Sequence, residues 1–101
     1  DIGTFFPDNQ KKYKNIRSPK MLKPIVEILN NNNFYINNLD INLICEQPKV
    51  SKYRNKIIKS LSDLLNVDKE LINLKGKTVE KLGLIGKEKA IACEVICSIT
   101  Q

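Results

Sequence analysis

A chain of 101 residues is one domain, and at this size only about two-thirds of the surface is buried on folding, so the core is thin and cover from a partner subunit is expected. The 42% apolar content excludes a disordered tail, no run approaches the roughly 18 consecutive apolar residues of a membrane helix, and nothing at the amino end resembles a signal peptide. Seventeen Lys and Arg against eleven Asp and Glu leave a net charge of +6, which favours anionic partners, although Arg17 and Arg54 are the only arginines and bidentate phosphate clamps are therefore scarce.

In chain order, residues 1–17 mix Gly3, Pro7, Asp8 and Asn9 with Lys11, Lys12 and Lys14 without periodicity, and read as a polar loop. Ser18 before Pro19 is a helix-start signal, and Leu22, Ile25, Val26 and Leu29 repeat at helical spacing. Pro24 interrupts that pattern, so the first turn is expected to kink or the regular helix to begin near Lys23; the run Asn30 to Asn33 ends it. From Phe34 the pattern alternates, with Leu39, Ile41, Leu43 and Cys45 on one side and Asp40 and Asn42 on the other, a half-buried strand stopped at Pro48. Tyr53, Ile57, Leu61, Leu64 and Leu65 then form the apolar stripe of a second helix, with Lys52, Lys56 and Lys59 facing water.

A second strand alternates through Ile72, Leu74, Gly76 and Thr78 and runs into Glu80; residues 83–89 are a turn or wide loop. Ala90 to Ile99 is almost wholly small or branched apolar and reads as a strand buried on both faces, with Glu94 its one odd member. Strand, helix, strand implies a parallel crossover, and the third strand returns antiparallel or joins an edge. The fold class is therefore α/β (α+β), a mixed sheet with helices packed on one side. Cys45, Cys93 and Cys97 have no CxxC spacing and no histidine to complete a zinc site, so they are read as small buried hydrophobes, and a Ser/Cys-His mechanism has no base in these residues.

Three segments place polar residues at the ends of regular elements. Asp1 and Asp8 stand seven apart in the first loop, positioned to hold a hydroxyl or a metal or else to lie in a solvated turn. Cys45 to Ser51 leaves a strand for a helix, exposing backbone groups that can read a flat heterocycle while Lys49 meets phosphate. Lys77, Thr78 and Glu80 leave the second strand together, a set able to hold a phosphate oxygen and a divalent cation.

In this order and separation the three segments resemble the 2-C-methyl-D-erythritol 2,4-cyclodiphosphate synthase family. The matching motifs are Asp1-Ile2-Gly3 and Phe6-Pro7-Asp8, Asn38-Leu39-Asp40 through Pro48-Lys49, Asn73-Leu74-Lys75 through Thr78-Val79-Glu80-Lys81-Leu82-Gly83, and Ile91-Ala92-Cys93-Glu94. The resemblance implies a homotrimer with sheets toward a three-fold axis, helices outside and active sites between neighbours. It implies closure of a cyclic diphosphate from a cytidine-diphosphate-linked substrate with release of CMP, assisted by zinc and by magnesium or manganese, with neither nucleic acid nor membrane as partner. Asp1, Gly3, Phe6, Pro7, Asp8, Asn9 and Gln10 would contact the methylerythritol part. Cys45, Glu46, Gln47, Pro48, Lys49, Val50 and Ser51 would line the cytosine pocket, largely through main chain. Lys77, Thr78, Val79 and Glu80 would bind the diphosphate, Thr78 steadying its charge and Glu80 holding the second metal, while Leu84 and Lys87 would lie near the trimer axis.

Departures from the family pattern are Gln10 for an acid, Cys45-Glu46-Gln47 for Ala-Gln-Ala, Lys77, Thr78 and Val79 for three threonines, and Gly86-Lys87-Glu88-Lys89-Ala90 for Gly-Arg-Gly-Glu-Gly. The family's zinc ligands precede its Asp-Ile-Gly motif, so the expectation is a domain lacking its amino-terminal metal-binding segment, whose residues alone turn over no substrate. The resemblance implies a plastid or a bacterial-type cytoplasm, and the Lys/Asn-rich composition looks like that of a protozoan, for which the plastid (apicoplast) is the expectation. A basic α/β module for RNA and a subunit that has lost catalysis are the competing readings; against the first, no exposed aromatic pair is evident.

Overall fold

The computed structural model describes residues 1–101. Helix α1 (Ile2–Phe5) and α2 (Ser18–Asn31) precede strand β1 (Tyr35–Ile44), helix α3 (Val50–Leu65), strand β2 (Ile72–Lys77), helix α4 (Gly83–Gly86) and strand β3 (Ala92–Thr100). The sheet order is β2-β1-β3, with β1 and β2 parallel across α3 and β3 antiparallel to β1, as the element order implied. No helix is long and apolar enough to cross a membrane.

The alternation of β1 sends Leu39, Ile41 and Leu43 to one face, where the parallel register sets them beside Ile72, Leu74 and Gly76. Ile41, Ile72 and Leu74 are buried, and Val50, Ile57, Ile58 and Leu61 of α3 pack on them. Tyr53, expected in that stripe, is instead exposed, with the Lys52 ammonium 5.8 Å from its ring centroid. Helix α3 ends at Asn66 in the left-handed conformation, φ 54°, which asparagine tolerates. Its partner α2 runs unbroken through Pro24, whose ring lies on the exposed side while Met21, Leu22, Ile25, Val26 and Leu29 turn inward. Only solvent-side hydrogen bonding is disturbed, so the helix begins at Ser18 rather than near Lys23; Arg17, not Ser18, is the capping position.

Four further expectations are corrected. Residues 1–17 are not wholly loop: Asp1 Oδ1 accepts the Gly3 N–H at 2.9 Å and caps α1, and a 3-10 turn spans Lys11–Tyr13. Residues 83–89 hold the short helix α4, whose first residue Gly83 is at φ 68°, and β2 stops at Lys77 short of Glu80. Most consequentially, β3 is exposed rather than buried on both faces: Ile96 is 75% and Val95 51% exposed, and Cys93 and Cys97 are open while only Cys45 is buried. The helix layer covers β1 and β2 and leaves this edge strand bare.

The result is a slab of 43 × 37 × 20 Å exposing 8006 Å². A compact chain of 11.6 kDa exposes about 5,800 Å². On the face away from the helices, Asp40 Oδ1 accepts from Lys75 Nζ at 2.7 Å and from Asn73 Nδ2 at 3.0 Å. The Lys75 hydrogen bond, against some desolvation and with help from Asn73 and the Lys75 charge, holds the Asp40 carboxyl below its ordinary range. A carboxyl depressed in the folded state contributes stability above its unfolded pKa of about 3.9 and loses it as pH falls through the folded value. Acid melts are therefore expected to show wild-type stability falling more steeply below about pH 4 than that of Asp40→Asn, with the curves parallel at pH 7; the effect is small because the pair is half exposed.

Candidate functional site

The parallel strands β1 and β2 end side by side, and a crevice outside the carboxyl ends of parallel strands is where such sheets bind ligands. Here the Cys45 N–H donates to the Lys77 carbonyl at 2.9 Å, carrying the pairing one residue past Ile44 before the chains part. The β1–α3 loop then folds back through a cis Gln47–Pro48 peptide, with the Cys45 thiol donating to the Pro48 carbonyl at 3.6 Å. Lys49 is extended and precedes the first turn of α3, whose leading N–H groups have no intrahelical acceptors. Gly76 lets α3 approach: a Cβ there would stand 2.7 Å from the Cβ of Val50.

Between these elements lies a cleft of about 240 Å³. From the β1–α3 loop and the start of α3 it is lined by Cys45, Glu46, Pro48, Lys49, Val50 and Ser51, and from the end of β2 by Lys77 and Thr78, so two of the three sequence-marked segments do meet. Gln47 is exposed at the loop tip and is not among the lining residues. Arg54 and Gly76 complete the cleft and were missed. Arg54 had a legible signal, since it stands four residues after Val50 and therefore directly above it on α3.

The cleft is cationic, with Lys49, Arg54 and Lys77 around it. Its one carboxylate, Glu46, is engaged internally: Oε1 accepts the N–H groups of Val79 and Lys81, each at 3.0 Å. Those hydrogen bonds shape the loop that follows Thr78, where Glu80 and Lys81 both take left-handed backbone, φ 55° and 64°. Thr78 Oγ1 accepts the Glu80 N–H at 3.4 Å, leaving its own hydroxyl proton for an external acceptor. Glu80 is exposed and takes part in neither ion pair of the chain.

The first segment lies elsewhere. Gly3, Phe6, Pro7, Asp8 and Asn9 line a separate shallow cleft with Met21, Phe6 packing edge-on against Tyr13 at 5.4 Å, and no residue is shared with the cationic cleft. Asp1 lies at the rim of a third, apolar cleft between α1, α2 and α3, and Gln10 is exposed before the 3-10 turn. Leu84 and Lys87 are both exposed, in α4 and at its end, and neither lines the cationic cleft.

No group of three His, Cys, Asp or Glu stands together to hold a metal, and no histidine is present among these residues. They do not fit a zinc centre. A magnesium-type ion asks less, one or two carboxylates with phosphate oxygens and water, and the exposed Glu80 beside Thr78 fits that demand.

Comparison with known proteins converges on one family. The chain is 52% identical over 99 residues to a bifunctional enzyme IspD/IspF of Pelagibacter ubique, covering 98% of this chain and 27% of that protein. It is 48% identical over 93 residues to the apicoplast 2-C-methyl-D-erythritol 2,4-cyclodiphosphate synthase of Plasmodium falciparum, covering 92% of this chain and 39% of the relative. Among solved structures, the Plasmodium falciparum IspF complex with CDP superposes with a TM-score of 0.82 at 42% identity, over 98% of this chain and 58% of that one. The chain thus spans less than two-thirds of each of these proteins. The sequence model of the YgbB family matches residues 1–100, and the chain belongs to the YgbB family.

Proposed function

We propose that these residues form the nucleotide-binding part of a 2-C-methyl-D-erythritol 2,4-cyclodiphosphate synthase. The observation that carries this reading is the cationic cleft at the paired ends of β1 and β2, lined by Thr78, with Glu80 two residues further along the chain. In the reaction, an oxygen of the substrate's 2-phosphate attacks the β-phosphorus of its diphosphate. A new P–O bond closes the ring, the bond from the β-phosphorus to the bridging oxygen breaks, and CMP leaves with that electron pair.

The chain's own residues contribute mainly position and charge. Main-chain groups of Cys45 to Ser51 read the cytosine edge, Gln47 and Val50 shaping that loop, while Lys49, Arg54 and Lys77 attract the phosphates. Thr78 donates its hydroxyl proton toward a phosphoryl oxygen whose charge grows in the transition state. Glu80 would hold a magnesium or manganese ion, which when bound polarises the diphosphate. No step is assigned to zinc.

The same reading makes the protein a homotrimer. The chain as a whole exposes about 2,200 Å² more than a compact monomer of its size, and the bare β3 strand and the sheet face opposite the helices are the apolar surface an obligate oligomer would bury. The segment with Asp1, Gly3 and Phe6 to Gln10 then serves the cleft of a neighbour, since it does not reach its own, and Leu84 and Lys87 approach the axis. Location in an apicoplast-type plastid, or in the cytoplasm of a bacterium, belongs to this reading too.

Calorimetry with CDP and magnesium on the native polypeptide tests it. Saturable binding is expected, weakened about tenfold or more in Arg54→Ala by loss of a charged hydrogen-bond donor, with a trimer by sedimentation. A flat CDP titration alongside steeply salt-dependent RNA binding would overturn it in favour of a nucleic-acid module.

A further inference from the structure

Glu46 belongs to the nucleotide-side loop by sequence, yet its carboxylate oxygen is spent on the other loop. Oε1 bridges the N–H groups of Val79 and Lys81 at 3.0 Å each, across 33 and 35 residues of sequence. Alternate N–H groups converging on one point make an anion-binding concavity of the kind that cradles phosphates. In this fold that concavity is already filled by the protein's own side chain. Glu80, between the two bridged amides, and Lys81, which carries the second of them, hold left-handed backbone without being glycine, a conformation that persists only where its surroundings over-determine it. Two charge-assisted hydrogen bonds accepted by a half-buried carboxylate are such a determinant.

We propose that Glu46 is a positioning residue: it occupies the 79–81 anion cradle, fixes the backbone that presents Thr78 and Glu80, and excludes substrate phosphate from those two amides. The diphosphate is thereby left to the Thr78 hydroxyl and to the cation held by Glu80, and the loop that reads the base is tied rigidly to the loop that meets the phosphates. This rests on the function proposed above, of which it specifies one part.

The test pairs a structural with a kinetic measurement on the native polypeptide. Hydrogen exchange at the Val79 and Lys81 amides is expected to quicken about tenfold in Glu46→Ala, and much less in Glu46→Gln, whose amide oxygen still accepts. In turnover assays Glu46→Ala is expected to lose about 10- to 100-fold in kcat and to need more magnesium for half-saturation, with KM nearly constant, while Glu46→Gln restores most of the rate. Glu46→Asp, one methylene too short to span both amides, gives the same pattern as alanine and serves if that variant does not fold. A general loss of stability would reduce the active fraction without moving the magnesium requirement, and that result overturns the proposal. So does unchanged exchange at both amides in a variant of an enzyme that otherwise turns over. A wild-type protein with protected amides that neither binds CDP nor releases CMP overturns the proposed function itself, and with it any reaction for Glu46 to serve.

Discussion

Leu74→Ala is expected to cost the fold about 2–5 kcal/mol, the loss for truncating a fully enclosed leucine. Leu74 is the one large side chain with no exposed surface, in a chain where only five residues are buried at all. Ile41 and Ile72 flank it in the sheet, and Ile57, Ile58 and Leu61 close over it from α3, so a cavity there has little room to collapse. Against the 5–15 kcal/mol typical of a whole domain, this loss lowers the midpoint of thermal unfolding by roughly 10–30 °C. Gly76→Ala makes the informative comparison. Its new Cβ would meet Val50 Cβ at 2.7 Å and Cγ2 at 2.8 Å, and the Cβ cannot swing aside because it is fixed to the backbone at the start of α3. Overpacking of this kind costs about 1–3 kcal/mol, less than the leucine truncation, but it pushes the first turn of α3 away from the cleft. CDP affinity of the folded protein should therefore fall in Gly76→Ala and hold in Leu74→Ala. Thermal melts read the first difference and calorimetry the second; a Leu74→Ala midpoint within a few degrees of wild type would contradict the core described here.

What the sequence disclosed follows from which interactions are local. The alternation Leu39, Ile41, Leu43 and the helical spacing Ile57, Leu61, Leu65 are periodic patterns, and β1 and α3 form where those patterns place them, as does β1's parallel partner β2 except that it ends at Lys77. The apolar run from Ala90 to Ile99 marked β3 equally well, but composition reports what a strand needs covered, not whether its own chain covers it. Within this chain that strand, with Cys93 and Cys97, is therefore exposed where its composition predicts burial. The site was half legible. Cys45 to Ser51 and Lys77 to Thr78 stood out as polar exits from apolar strands, and the parallel register brings them together. The Glu46 bridge was invisible because nothing in the spacing of residues 46, 79 and 81 distinguishes a carboxylate that meets ligand from one that caps a neighbouring loop. The tightness of the 81–86 turn was equally hidden: a Cβ on Gly86 would fall 2.1 Å from the Lys81 carbonyl carbon, a close approach that reads in sequence only as one more loop glycine.

Thr78→Val should separate catalysis from binding most sharply. The valine keeps the branched shape at the end of β2 but removes the hydroxyl, which accepts the Glu80 N–H at 3.4 Å and has its own proton free for a phosphoryl oxygen. If that proton meets charge that develops only as the ring closes, kcat and kcat/KM fall together by about 100- to 1,000-fold while CDP affinity stays close to wild type. Glu80→Gln keeps the side-chain length but loses the charge, so its rate loss should come with a raised magnesium requirement, which Thr78→Val should not show. Lys49→Ala tests the opposite pattern: in the proposed function Lys49 meets phosphate in ground and transition states alike, so its removal is expected to raise KM more than it lowers kcat. Steady-state kinetics across a magnesium titration resolves all three in the native polypeptide. Should Thr78→Val raise KM and spare kcat, the hydroxyl binds the substrate uniformly, and the work of stabilising the developing charge falls to Lys77 or to the cation at Glu80.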